Sequence, residues 1–212
     1  MIAQSTILLA ILLPLAGAVG IALAGRVSAN ARETVTLVTA GGLALTVWSL
    51  LPSVMAGGRP AVTVTELLPG VELAFRVEPL GMLFAALASG LWIVNSLYSI
   101  GYMRGNNEKH QTRFYVMFAV SLAATMGVAF AGNLITLFLF YEMLTLSTYP
   151  LVSHKGDANT VRSARVYLGI LLTTSIGLFL PAIIWTYTVA GGGDFVAGGI
   201  LAGHVEGPAI GL

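Results

Sequence analysis

An all-α integral membrane protein of about six transmembrane helices, with a small external β-hairpin between the second and the third, is the fold class this sequence predicts. The chain is 57% hydrophobic and only 9% charged, against roughly 25% charged residues in an ordinary soluble domain. Its mean hydropathy is +0.89. The 212 residues also divide into apolar runs close to the roughly 20 residues that cross a hydrocarbon core about 30 Å thick. Residues 1–212 are therefore read as a single membrane domain.

Uninterrupted apolar runs place the spans near 5–24, 34–55, 79–103, 114–131, 134–153 and 166–189. The first run ends on Ala22-Leu23-Ala24, which resembles a small-residue cleavage site, but it lacks the basic flank of a signal peptide and is taken as a span. The fourth and fifth runs almost touch. A single helix over 114–153 would be roughly 60 Å long, about twice the hydrocarbon thickness, so the chain must reverse near Gly132-Asn133, a pair suited to a tight turn. Between the second and third runs, Val62, Val64, Val71, Leu73, Phe75 and Val77 alternate with polar or small residues around Pro69-Gly70. Period-two patterning with Pro then Gly at the centre of a type II turn predicts the hairpin. Residues 190–212 are Gly-rich and mildly acidic, and read as a tail leading toward a further helix that this sequence does not include.

Lys and Arg collect on the cytoplasmic side of membrane proteins. Arg26 and Arg32 stand in the first connection, Arg104, Lys109 and Arg113 in the third, and Lys155, Arg162 and Arg165 in the fifth, whereas the second and the tail are acidic. The odd connections are therefore expected to be cytoplasmic and the amino terminus outside, in the inner (cytoplasmic) membrane of a prokaryote. A formal charge of +1 without a clustered basic face excludes a nucleic-acid partner. With no cysteine, no disulfide or Cys-ligated cluster can form, and nothing resembles a phosphate loop, a zinc helix or a catalytic triad. No cofactor, metal ligand set or catalytic redox residue is expected in this chain.

Chemistry concentrates on Glu142, near the middle of the fifth run. A carboxylate at a helix centre is penalised by about 2.5–3.5 kcal/mol, and intramembrane ionisable groups mark ion pathways or proton relays more often than they serve as helix glue. On a helix, Glu142 shares a stripe with Phe138, Thr145 and Tyr149. Tyr141, Ser147 and Thr148 widen the polar flank, and Pro150 leaves the Leu146 carbonyl without its usual donor. Thr145 and Tyr149 are thus candidates to line a proton path, as are Thr173, Thr174 and Ser175 ahead of Pro181 in the sixth run. His110 and His154 fall at the cytoplasmic edge and titrate near neutral pH when unperturbed. His154 and Lys155 are candidates to admit protons from that side, although Lys155 lies about 20 Å along the axis from Glu142 and reads equally as an anchoring charge.

The stretch Gly132-Asn133-Leu134-Ile135-Thr136-Leu137-Phe138-Leu139-Phe140-Tyr141-Glu142, followed by Leu144-Thr145-Leu146-Ser147-Thr148-Tyr149-Pro150-Leu151, resembles the fifth-helix motif of a known family. Glu78-Pro79-Leu80-Gly81 and Tyr98-Ser99-Ile100-Gly101-Tyr102-Met103 resemble its third helix, where Asp is more usual before the proline. The family is that of the antiporter-like membrane subunits shared by Mrp-type sodium/proton antiporters and complex I-type NADH:quinone oxidoreductases, of which this chain resembles the amino-terminal part. Residues 140–152 look closest to the D-type subunits of Mrp antiporters. The resemblance implies that Glu142 is the proton-channel glutamate, that its lysine partner lies on a seventh helix beyond Leu212, and that the chain works with other membrane subunits on protons and sodium. It leaves open a proton-pumping membrane-arm subunit of a complex I-type oxidoreductase or membrane-bound hydrogenase, and a non-transporting structural or assembly subunit.

Overall fold

The computed structural model describes residues 2–205, with the side chain of residue 2 set aside. The helices are α1 (Ile2–Ala24), α2 (Ala29–Trp48), α3 (Leu51–Met55), α4 (Pro79–Gly105), α5 (Gln111–Ala129), α6 (Leu134–Val152), α7 (Ala158–Thr174) and α8 (Leu180–Ala190); strands β1 (Ala61–Leu68) and β2 (Val71–Arg76) separate α3 from α4. Six helical stretches are long and apolar enough to cross a membrane, α2 running on through α3 and α7 through α8 as one stretch each.

Several elements begin earlier than the apolar runs suggest. Ser28 caps α2 by accepting from the Ala31 amide at 3.1 Å, so Arg32 and Glu33 lie on the first turns of a helix rather than in a connection. Their charges are tolerated there because they neutralise one another and a residue from α4, as described below. The last stretch starts at Ala158, not near 166, because the Asp157 carboxylate caps it through the Thr160 amide and hydroxyl, at 2.9 and 2.6 Å. Arg162 and Arg165 are exposed on this added helix. Ahead of Pro181 the chain makes a π-helical turn over Ser175–Phe179, the form that an inserted residue takes inside a helix.

The core lies between α1, α2, α4 and α5, where Ile7, Ile21, Leu43, Val47, Met82, Trp92, Met126 and Phe130 are buried. Small residues allow close approach: a methyl on Gly127 would fall 2.0 Å from the Phe140 ring, and one on Gly81 2.0 Å from the Ala129 carbonyl oxygen. α6 packs on the outer side of α5, and the α7–α8 stretch packs on α6 as the least buried of the six.

β1 and β2 pair antiparallel, Val62 opposite Phe75 and Leu68 opposite Val71, with Gly70 in the turn at φ +78°. A register shift between Thr63 and Thr65 interrupts the alternation, which explains why Val64 faces outward while Phe75 and Val77 are buried. The reversal at Gly132-Asn133 docks on this hairpin. The Gly132 amide donates to the Ala74 carbonyl at 2.9 Å and the Arg76 amide to the Phe130 carbonyl at 2.7 Å. Asn133 caps α6 by accepting from the Thr136 amide at 2.9 Å, while its own amide group donates to the Glu72 carbonyl at 2.8 Å. The chain after α8 joins the same cluster: the Leu134 amide donates to the Gly193 carbonyl at 2.9 Å, and Arg76 Nη1 to the Phe195 carbonyl at 3.0 Å. Residues 206–212, the end of the Gly-rich tail, lie outside the described residues.

The α1–α2, α4–α5 and α6–α7 connections gather at the opposite end, where Thr112 approaches Gly25 and Arg113 donates to the His154 carbonyl at 3.1 Å. The basic connections thus share one end of the bundle, as the charge pattern requires. Glu33 sits among Arg32, 3.0 Å away, and Arg104, whose Nε donates to it at 3.0 Å. Arg32 also donates to Gln111 Oε1 at 2.7 Å and lies over the Tyr115 ring. Residues of α2, α4 and α5 are tied together by this group.

Candidate intramembrane proton site

α6 carries Glu142 on a helix that is apolar enough to span yet lined by hydroxyls. The carboxylate borders a shallow, open depression of about 480 Å³ in the groove between α5 and α6, lined by Met117 and Val120 on α5 and by Leu139, Met143, Leu146 and Ser147 on α6. Glu142 Oε1 is buried without a hydrogen-bond partner among the described residues. A buried polar oxygen in that condition costs about 1–3 kcal/mol, more when charged. The contrast with Glu33, saturated by two guanidinium groups, is direct: of these two carboxylates inside helical spans, only Glu142 presents an unused acceptor.

The other expected lining residues divide into separate groups. Thr145 is buried on α6, and its carbonyl accepts from Thr148 Oγ1 at 2.9 Å; Tyr149 is half-buried, and its carbonyl accepts from Ser153 Oγ at 2.9 Å. No hydrogen bond joins either to Glu142 among the described residues. Thr174 and Ser175 line a different cavity of about 480 Å³ with Leu137, Tyr141, Leu178 and Phe179. Leu137 and Tyr141 stand on the side of α6 away from the Glu142 groove, by the 100° step of a helix. Thr173 and Thr174 lie toward the surface, and Thr174 and Ser175 return their hydroxyls to carbonyls of their own helix, on Ile170 at 2.9 Å and Leu171 at 3.0 Å. The structure therefore does not bring the 173–175 hydroxyls to Glu142. Phe179 in the π-helical turn packs edge-on against Phe138 and Tyr141, at 6.0 and 6.3 Å between ring centroids.

Lys155 is exposed, beyond the end of α6. His154 is half-buried in the α6–α7 turn, edge-on to Phe114 at 5.5 Å, and neither ring nitrogen has a partner among the described residues. Burial, then the Arg113 charge, holds its pKa below the ordinary histidine value, against a smaller opposing pull from Glu108. His154 is neutral at pH 7 as a result.

A residue that sequence patterning missed is Ser121 on α5. Its Oγ lies 2.8 Å from Ser147 Oγ across the helix interface, with both residues buried, at 6% and 5% exposure. A lone serine in an apolar run carries no signal of its partner; the register of α5 on α6 supplies it.

Known proteins bear on this arrangement. Residues 131–201 match the family described as NADH:quinone oxidoreductase/Mrp antiporter, TM. The A1 subunit of the Na(+)/H(+) antiporter of Staphylococcus aureus (strain bovine RF122 / ET3-1) is 33% identical over 98 residues, covering 46% of this chain and 12% of that protein. The A/B subunit of a probable K(+)/H(+) antiporter of Rhizobium meliloti (strain 1021) is 30% identical over 152 residues, covering 70% of this chain and 14% of that protein. Among solved structures, the Mrp complex from Dietzia sp. DQ12-45-1b is similar at TM-score 0.74 and 24% identity over 89% of this chain and 20% of that one. An archaeal respiratory complex, the membrane-bound sulfane sulfur reductase, reaches TM-score 0.76 at 15% identity over 89% of this chain and 38% of that one. These structural likenesses show a shared fold.

Fold and sequence together define a multi-pass membrane protein with six helical stretches long and apolar enough to span. The resemblance read from the sequence holds: this chain is similar to antiporter-family membrane subunits of Mrp and complex I-like complexes, with the family's own signature at residues 131–201. It spans 12% and 14% of the length of the two relatives. Both relatives carry A or A/B names, so the closer likeness to the D type gains no support from them.

Proposed function

We propose that this chain is a proton-translocating, antiporter-like subunit of a multisubunit Mrp-type cation/proton antiporter in a prokaryotic cytoplasmic membrane, with Glu142 as the intramembrane proton carrier. The observation that carries the reading is a carboxyl group near the middle of a spanning helix, bordering an open groove and holding one oxygen without a partner among the described residues. Desolvation favours the protonated acid and an approaching cation favours the carboxylate. A cation supplied by a further helix or a neighbouring subunit would therefore load and release the proton as it moves. Thr145 and Tyr149 border the same stripe of α6 and would hydrate the path. His154 and Lys155 stand at the basic end, where protons would be admitted. The family at 131–201 carries both names, so a membrane-arm subunit of a complex I-type oxidoreductase or hydrogenase, pumping protons at the expense of redox chemistry in its partners, would use the same site.

Glu142→Gln keeps shape and hydrogen bonding but removes the charge. It is expected to abolish proton movement in everted membrane vesicles carrying the assembled complex, with normal assembly, whereas Lys155→Ala only weakens it. Wild-type transport by Glu142→Gln would make this a structural or assembly subunit. Equal loss in Lys155→Ala would place Lys155 in the path itself.

A further inference from the structure

The geometry points to the Ser121–Ser147 pair as a two-state hydroxyl switch that serves Glu142 in both of its protonation states, an inference that rests on the proton-carrier reading above. Each hydroxyl has one hydrogen and two acceptor lone pairs. Ser121 Oγ lies 2.9 Å from the Met117 carbonyl, Ser147 Oγ 2.9 Å from the Leu144 carbonyl, and the two oxygens 2.8 Å from one another. Three contacts compete for two hydrogens, and two of the arrangements keep a hydrogen bond between the serines. In one, Ser121 donates to Ser147, and the Ser147 hydrogen is free to leave the Leu144 carbonyl for the groove that Ser147 shares with Glu142. In the other, Ser147 donates to Ser121, Ser121 keeps its own hydrogen on the Met117 carbonyl, and a Ser147 lone pair is left for the groove.

Glu142 needs opposite things in its two states. The carboxylate accepts only, and the acid donates one hydrogen. A water standing in this groove between Ser147 and Glu142, with polar partners on both sides, would be offered a donor when the carboxylate is charged and an acceptor when it is protonated. The exchange turns hydroxyls about their Cβ–Oγ bonds and breaks no covalent bond. Among the described residues, no other titratable side chain lines this groove. Those on the elements packed around α6 lie elsewhere: Arg113 and Tyr115 on the first turns of α5, Arg162, Arg165 and Tyr167 on α7, Glu72 and Arg76 on β2, Tyr187 on α8, and Tyr141 and Tyr149 on α6 itself. Ser147 is thus a positioning residue that acts on Glu142 through water, and Ser121 acts through Ser147.

Ser147→Ala removes both the donor offered to the carboxylate and the acceptor offered to the acid; the contact with the charged form is the stronger of the two, so the balance moves toward the acid. The pH profile of proton movement by the full complex in everted vesicles is expected to shift upward by a few tenths of a pH unit and by no more than about one, the size of one direct hydrogen bond to a charged group. Ser121→Ala produces a smaller upward shift, and Ser147→Thr, which keeps a hydroxyl, restores the wild-type profile. Dicyclohexylcarbodiimide modifies protonated intramembrane carboxyls without turnover, so its reaction with Glu142 should extend to higher pH in Ser147→Ala even where that variant transports poorly. Unmoved profiles and unmoved carbodiimide reactivity in both alanine variants, beside a loss of transport in Glu142→Gln, overturn the switch and leave the carrier reading standing. Normal transport by Glu142→Gln removes the carrier reading, and the switch with it.

Discussion

Glu33 and Glu142 are both carboxylates in helical spans, and the difference between them is a matter of partners. Glu33 is held by Arg32 and Arg104 at 6% exposure, so its charge is a structural asset. Without the Glu33 charge, Arg32 keeps a buried guanidinium whose partner is gone, while the half-exposed Arg104 is answered by solvent. Glu33→Gln is therefore expected to lower the thermal stability of the detergent-purified protein sharply; a midpoint like that of wild type would show that the group contributes little. Glu142 has no such holder among the described residues, which is why a change there should alter transport rather than stability. Its position was legible in the sequence because a charge inside an apolar run has no neighbours to hide it. The role of Arg32 and Glu33 was not legible, since the neutralising Arg104 lies 71 positions from Glu33.

Helix starts at 29 and 158 escaped the hydropathy reading for the same reason: polar residues that cap or pair look like connection until their partners are known. The π-helical turn over Ser175–Phe179 was likewise hidden, because proline position announces a break but not the extra residue that absorbs it. The hairpin and the Gly132-Asn133 reversal were readable, their signals being local: alternation, a Pro-Gly turn and a short polar pair between long apolar runs. At the other end, the α6–α7 turn carries a pH response. His154 has a folded-state pKa below its unfolded value near 6.5. The unfolded or opened turn therefore binds more protons, and the packing of His154 on Phe114 is fully present above about pH 6.5 and lost as pH falls through the lower folded value. Amide hydrogen exchange, corrected for its intrinsic pH dependence, should show residues 153–157 opening as pH is lowered below about 6.5 in wild type and not in His154→Phe. Protection that does not change with pH would remove this response.

Across the whole molecule, the basic connections sit together and the hairpin with its docked segments caps the opposite end. Because the chain contains no cysteine, single substitutions report orientation without background. Lys155→Cys should react with an impermeant maleimide only from the cytoplasmic face and Thr65→Cys only from the outer face; the reverse pattern would invert the expected orientation. The candidate site was half legible at this scale: one helix of it could be read from the sequence, while Ser121 and the separation of Thr174 from Glu142 needed the register of α5, α6 and α7. The hairpin end also sets a timetable for synthesis. Arg76 and Phe195, whose hydrogen bond fastens β2 to the chain beyond α8, are 119 positions apart. Chains emerge from the amino terminus, so β2 is made well before the segment that fastens it. Every one of these helical stretches must be made before this clasp can close, and until then the hairpin rests on the earlier-made Gly132-Asn133 reversal without it.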